Sequence, residues 1–135
     1  MTDINSLIYC LIIAALLPYV AKVPLAIAMT KQGGGAFFGY DNQLPRVQQQ
    51  SLTGFGARCL AAHQNSFEAL IIFAAAVLLV ITTGHITEFS VLLSVLFIVS
   101  RVVYLMCYWL NWDKLRSTAW AVGILSNFAI MFHCL

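Results

Sequence analysis

The chain has 135 residues, 61% of them hydrophobic and only 9% charged, with seven Lys or Arg against five Asp or Glu and a formal net charge of +2. Soluble domains average about 25% charged residues, so too few polar side chains exist here to cover a water-facing surface. A disordered chain is excluded by the high hydrophobicity, and a nucleic-acid binder by the absence of any dense basic patch. The mean hydropathy of +0.89 is that of a membrane protein, and the length suits one domain, 1–135.

The opening Met1-Thr2-Asp3-Ile4 lacks the positive n-region of a signal peptide, so the first apolar run is expected to stay in the mature protein. Bilayer spans need about 20 apolar residues. The first predicted span covers about 5–29, interrupted by Pro18, Lys22 and Pro24. A connection from Thr30 to Gly54 follows, with Gly33-Gly34-Gly35, Gly39, Pro45 and the polar tract Gln48-Gln49-Gln50-Ser51. At roughly 25 residues it exceeds the usual link between packed helices and reads as a functional or partly ordered surface loop. Its glycines are no phosphate cradle, because no GK[ST] follows them. The second predicted span covers about 55–82, the third 88–110 and the fourth 117–135. The short second and third connections require antiparallel neighbours, so the fold class is all-α: an integral membrane four-helix up-and-down bundle.

Lys31, Arg46, Arg58, Lys114 and Arg116 cluster at the first and third connections, while the second connection and both termini carry no Lys or Arg. The positive-inside rule therefore puts those two connections in the cytoplasm and both termini outside. Cys10, Cys59, Cys107 and Cys134 are widely spaced with no CxxC, and are expected to act as small buried hydrophobes. His63, His85 and His133 join no Cys, Asp or Glu at ligand spacing, so no metal site is expected. His63 suits either the site or a helix contact.

Charged residues within hydrocarbon face a bundle interior or a functional cavity. Arg58, Asn65 and Glu68 fall along one face of the second span, with Glu68 about 15 Å further along than Arg58. Arg101, on the antiparallel third span, is the expected partner of Glu68, within or between subunits. Tyr104 and Tyr108 share its face, and Arg116-Ser117 open the fourth span near the level of Arg58. Such groups can simply glue helices together, and the tyrosines can belong to an interfacial aromatic belt. The density of two arginines, a glutamate, an asparagine and two tyrosines favours a small anionic ligand entering from the cytoplasm, since guanidinium forks suit carboxylates.

Arg58-Cys59-Leu60-Ala61-Ala62-His63-Gln64-Asn65-Ser66-Phe67-Glu68 resembles the R-x-x-x-A-x-x-N-x-x-E pattern of the membrane-associated proteins in eicosanoid and glutathione metabolism, the MAPEG family. Arg101-Val102-Val103-Tyr104 with Tyr108, then Arg116-Ser117, supply a second match in the right order, and the resemblance covers nearly the whole chain. It implies a homotrimer binding glutathione as co-substrate between subunits near the cytoplasmic face. Asn65 and Glu68 would hold polar groups of the tripeptide, with Arg58 adding charge at the mouth. Arg101 belongs to the same cofactor-binding wall, and Tyr104 and Tyr108 match tyrosines that touch glutathione. Arg116, with Ser117 beside it, matches the arginine that stabilises the thiolate. The implied reaction is attack by that thiolate on a lipophilic electrophile or hydroperoxide arriving through the bilayer.

The chain departs from the resembled pattern at Ala61, where the leukotriene- and prostaglandin-making branches carry an arginine, and at Gln64 and Trp120, where the prostaglandin branch has an arginine and a tyrosine. These differences place it nearer the family's bacterial members, in an inner membrane. Two readings stay open: a glutathione transferase or peroxidase, and a non-catalytic membrane protein that binds lipid or a small anion or supports assembly. The expected partners are a second and third copy of the chain, membrane lipids and a lipophilic small molecule, with no nucleic acid.

Overall fold

A computed structural model describes residues 4–135; Met1–Asp3, part of the stretch read for a signal-peptide n-region, lie outside the described residues. Helix α1 runs Ile4–Gln32, α2 Pro45–Gln50, α3 Gly54–Thr83, α4 Glu88–Leu110 and α5 Asp113–His133. The four long helices are each long and apolar enough to cross a membrane. At 1.5 Å per residue, α1 and α3 are roughly 43–45 Å long against a hydrocarbon core of about 30 Å, so their ends reach beyond it. Short turns join α3 to α4 and α4 to α5, and the chain is an all-helical up-and-down bundle.

The helix ends follow their sequences. Gly84 closes α3 at φ 74°, and Asn111, one of the few residue types that tolerate the left-handed region, closes α4 at φ 61°. Thr87 and Ser90 form a reciprocal capping box at the start of α4. Helix α5 begins at Asp113, four residues before the predicted span, because an acidic residue in the first turn complements the positive end of the helix.

Packing relies on small residues, as it must where lipid supplies no hydrophobic drive between helices. Helices α1 and α3 meet over Ala14, Ala21, Ala62 and Ala76, and α4 and α5 over Ser94, Ser100, Ala119 and Gly123, all buried. A Cβ on Gly123 would lie 2.8 Å from the Ser100 hydroxyl, so this position sets how closely α5 approaches α4. Larger groups fill the remaining core, with the Phe73 and Phe97 rings stacked at 4.2 Å. The outward faces carry exposed Ile71, Leu78, Val99 and Phe132, the distribution expected of a bundle solvated by acyl chains. Cys10, Cys59 and Cys107 are buried, Cys134 is half-buried, and all four are free thiols.

The long connection holds the short helix α2 and one enclosed glutamine. Gln48, in the middle of the polar tract, is buried, and its Nε2 lies within hydrogen-bonding reach of the carbonyls of Met29, Gly33 and Gly39 while its Oε1 accepts from the Asp41 N–H. This one amide folds residues 33–41 back onto the end of α1. Gly39, at φ 96°, has no room for a side chain because a Cβ would meet the Thr30 carbonyl at 2.5 Å. Within the tract Gln48 supplies the hydrogen bonds that hold this turn, a use that composition does not distinguish from solvation.

Candidate functional site

The basic end of the bundle carries Lys31, Arg46, Arg58, Lys114 and Arg116. Behind it, the singled-out residues form a continuous chain across three helices. On α4, Arg101 is only 3% exposed and its Nη2 donates to the Asn65 Oδ1 on α3 at 2.8 Å. The Asn65 Nδ2 in turn donates to the Glu68 carboxylate at 2.8 Å. Arg101 and Glu68, expected as a direct pair, are therefore joined through Asn65, whose amide offers an acceptor to one and a donor to the other.

Arg101 also lies over the Tyr104 ring at 4.0 Å. Tyr104 meets Tyr108 edge-on at 5.1 Å, and the Arg116 guanidinium sits over the Tyr108 ring at 4.5 Å. The order is Arg116, Tyr108, Tyr104, Arg101, Asn65, Glu68, each touching the next. Helical spacing explains it: Arg101, Tyr104 and Tyr108 fall on one stripe of α4, and Asn65 and Glu68 on one stripe of α3. Arg58 joins differently. Its Nε donates to the Tyr108 carbonyl at 3.0 Å, an acceptor that also takes the Asn111 N–H at the end of α4, and so ties α3 to α4.

Ser117 does not point into this wall. Its hydroxyl donates to the Asp113 carbonyl at 3.1 Å within its own helix. His63 takes the helix-contact role: its Nδ1 bonds the Pro18 carbonyl of α1 at 2.8 Å. A carbonyl only accepts, so Nδ1 carries the proton. His133 bonds the Thr87 hydroxyl at 3.0 Å, pinning the end of α5 to the start of α4.

Glu68 is exposed on the outside of the bundle, about 21 Å along α3 from Gly54. Two guanidinium groups, Arg101 and Arg116, stand against this one carboxylate in the contact chain, and cations in a low-dielectric setting are costly without a counter-charge. Beside Asn65, Glu68 and Arg101 opens a cavity of about 60 Å³, walled by Ile72, Phe97, Trp120, Gly123, Ile124 and Asn127 among others. That is room for a few water-sized groups, not for a tripeptide.

The sequence reading passes over Asn127. It is 1% exposed, and its Oδ1 and the indole N–H of Trp109 are the two buried side-chain polar atoms without a hydrogen-bond partner among the described residues. The available signal was spacing: Trp120, Gly123, Ile124 and Asn127 recur at three and four residues, one face of α5. Attention to formal charge hides a neutral amide on that face.

Comparison with protein-family models matches residues 6–135 to a model described as the MAPEG family. No curated protein and no solved structure gave a significant match.

Proposed function

The chain belongs to the MAPEG family, and from that premise we propose that it is a membrane-bound glutathione-dependent transferase or peroxidase acting on lipophilic electrophiles. The observation that carries this reading is the excess of cations along the contact chain from Arg116 to Glu68, beside a cleft that opens within the membrane. A small carboxylate-bearing thiol fits such a wall. Arg101 and Asn65 offer donors to its carboxylates, and Glu68 accepts from its ammonium. Arg116, oriented by the Tyr108 ring, holds a positive charge where the cysteinyl sulfur would sit and favours its thiolate. Ser117 adds a neighbouring hydroxyl once it turns from the Asp113 carbonyl. The thiolate sulfur then forms a bond to an electrophilic carbon as a halide leaves, or attacks the O–O bond of a hydroperoxide.

The exposure of Glu68 supports assembly. A carboxylate facing acyl chains near mid-span is expensive, and a cavity of this size leaves most of a tripeptide uncovered. A neighbouring copy laid against the α3–α5 face covers both, which fits a homotrimer with the ligand between subunits. The positive-inside bias puts the basic end of the bundle in the cytoplasm, where glutathione would enter.

A second reading keeps the fold without the chemistry: a binder of lipid or a small anion. It is favoured by Ala61 and Gln64. Gln64 is exposed beside Arg46, Gln49, Gln50 and His63, with no cation added on α3 there. The test is conjugation of a generic aromatic halide, and reduction of a lipophilic hydroperoxide, by purified protein with glutathione. Turnover that Arg116→Ala abolishes supports the enzyme; no turnover with either substrate contradicts it.

A further inference from the structure

The tip of the long connection goes against two local preferences at once. Phe37 and Tyr40 exchange backbone hydrogen bonds across Phe38 and Gly39, which stand at φ 50° and 96°. Positive φ at both central positions is the type I′ pattern, for which hairpins favour Asn-Gly or Asp-Gly. A bulky phenylalanine is disfavoured there, because its Cβ crowds the backbone in the left-handed region. Phe38 is also 86% exposed, and its ring meets that of the exposed Phe37 edge-on at 5.2 Å. The subunit itself leaves both rings uncovered.

Their height along the bundle identifies the neighbour that covers them. The exposed apolar side chains of α1 include Ile8, Ile12, Leu16, Val20, Val23 and Ile27. At 1.5 Å per residue this ladder is roughly 28 Å long, close to the thickness of a hydrocarbon core. Past Ile27 the next exposed side chains are Thr30, Lys31 and Gln32, so the acyl region ends near Ile27. The turn is folded back to that level. Phe37, Tyr40 and Asn42 face Ala26 and Thr30 of α1 across a groove of about 360 Å³, and the Lys22 ammonium lies 5.9 Å from the centre of the Tyr40 ring. Aromatic rings at this height meet the interfacial layer of a bilayer, where they are favoured. Lys22 and Lys31 bracket the level with charge suited to lipid phosphates. The carboxylate of the turn, Asp41, accepts from the N–H groups of Gln43 and Leu44.

We propose that Phe37 and Phe38 form a wedge that inserts the long connection into the phospholipid interface at the basic end of the bundle. Burial of two rings among lipids outweighs the local preference for Asn at the turn, and Gln48, which donates to the Gly39 carbonyl, presents them. The wedge stands beside α1, whereas the face proposed for a neighbouring copy is that of α3 and α5. It is a contact separate from the wall between Arg116 and Glu68, so it holds whether or not that wall carries out thiol chemistry.

Two readouts on the full-length protein in lipid nanodiscs test the wedge. The first is the fluorescence that Phe38→Trp adds to the wild-type signal. It is expected to lose most of its intensity in phospholipid brominated near the glycerol end of the acyl chains, less in phospholipid brominated near the chain terminus, and little to aqueous acrylamide. Phe37→Trp repeats the measurement at the neighbouring ring. The second is cleavage by chymotrypsin after Phe37. Phe38→Asn suits the turn better but removes the wedge, so cleavage there is expected to become faster although the turn is locally more favourable. An added tryptophan quenched by acrylamide and indifferent to bromine would overturn the proposal. So would one shielded from both quenchers, which would assign the rings to a neighbouring copy of the chain, or cleavage that Phe38→Asn leaves unchanged or slows.

Discussion

Arg101 is a nearly inaccessible guanidinium inside a membrane bundle, and its hydrogen bond goes to Asn65, a neutral amide that also donates to Glu68. The relay makes Asn65 the member whose loss costs most. Asn65→Leu leaves Arg101 buried without that acceptor, at a cost of about 1.5–3 kcal/mol for a hydrogen bond to a charged group. Glu68→Gln keeps an acceptor for Asn65 on an exposed residue and should change the stability of the isolated subunit by less. Thermal denaturation in detergent checks the order; a larger loss in Glu68→Gln would contradict it. Tyr108 offers a second contrast. Tyr108→Phe retains a ring beneath Arg116, whereas Tyr108→Leu releases it and should cost about 0.5–1 kcal/mol. If Arg116 acts on the thiol, only the Leu variant should also lose glutathione-dependent rate. At this scale the sequence exposes charges well. Arg58, Asn65, Glu68, Arg101, Tyr104, Tyr108 and Arg116 sit at helical spacings and prove to be neighbours, but the bridging position of Asn65 and the orphan at Asn127 depend on distances between helices.

Between elements, the approach of α5 to α4 is set at Gly123 and Ser100. Gly123→Ala should destabilise the bundle by about 1–2 kcal/mol through overpacking, and Ser100→Ala in the same chain should restore most of it by removing the hydroxyl that the new methyl meets. Two losses that simply add would show that the contact is not the cause. The connection from α1 to α3 depends on Gln48 in the same local sense. Gln48→Leu removes the hydrogen bonds that fold residues 33–41, at roughly 1 kcal/mol for each. Chymotrypsin should then cut faster at the exposed Phe37 and Phe38, with the four long helices intact; an unchanged cleavage rate would contradict the role given to Gln48. The long helices were legible because apolar runs and short turns leave few alternatives. The inner order of the long connection was not, because a glutamine among glutamines looks solvated until its partners are in place.

For the whole molecule, the scarcity of charge has two consequences. It places the chain in a membrane, and it makes the location of each remaining charge informative. Five of the seven cations lie at one end, while Arg101 and the exposed Glu68 lie within the span, where neither lipid nor water is a satisfactory neighbour. On the proposed function, glutathione and a neighbouring copy of the chain meet that face. The central claim is that the wall from Arg116 to Glu68 holds glutathione as its thiolate. The most direct test is ultraviolet titration of the purified protein with glutathione at neutral pH, following thiolate absorbance. Saturable thiolate formation in the wild type, lost in Arg116→Ala and weakened in Arg101→Met, is the result expected. No thiolate signal with the wild type, or an undiminished one in Arg116→Ala, would contradict the account.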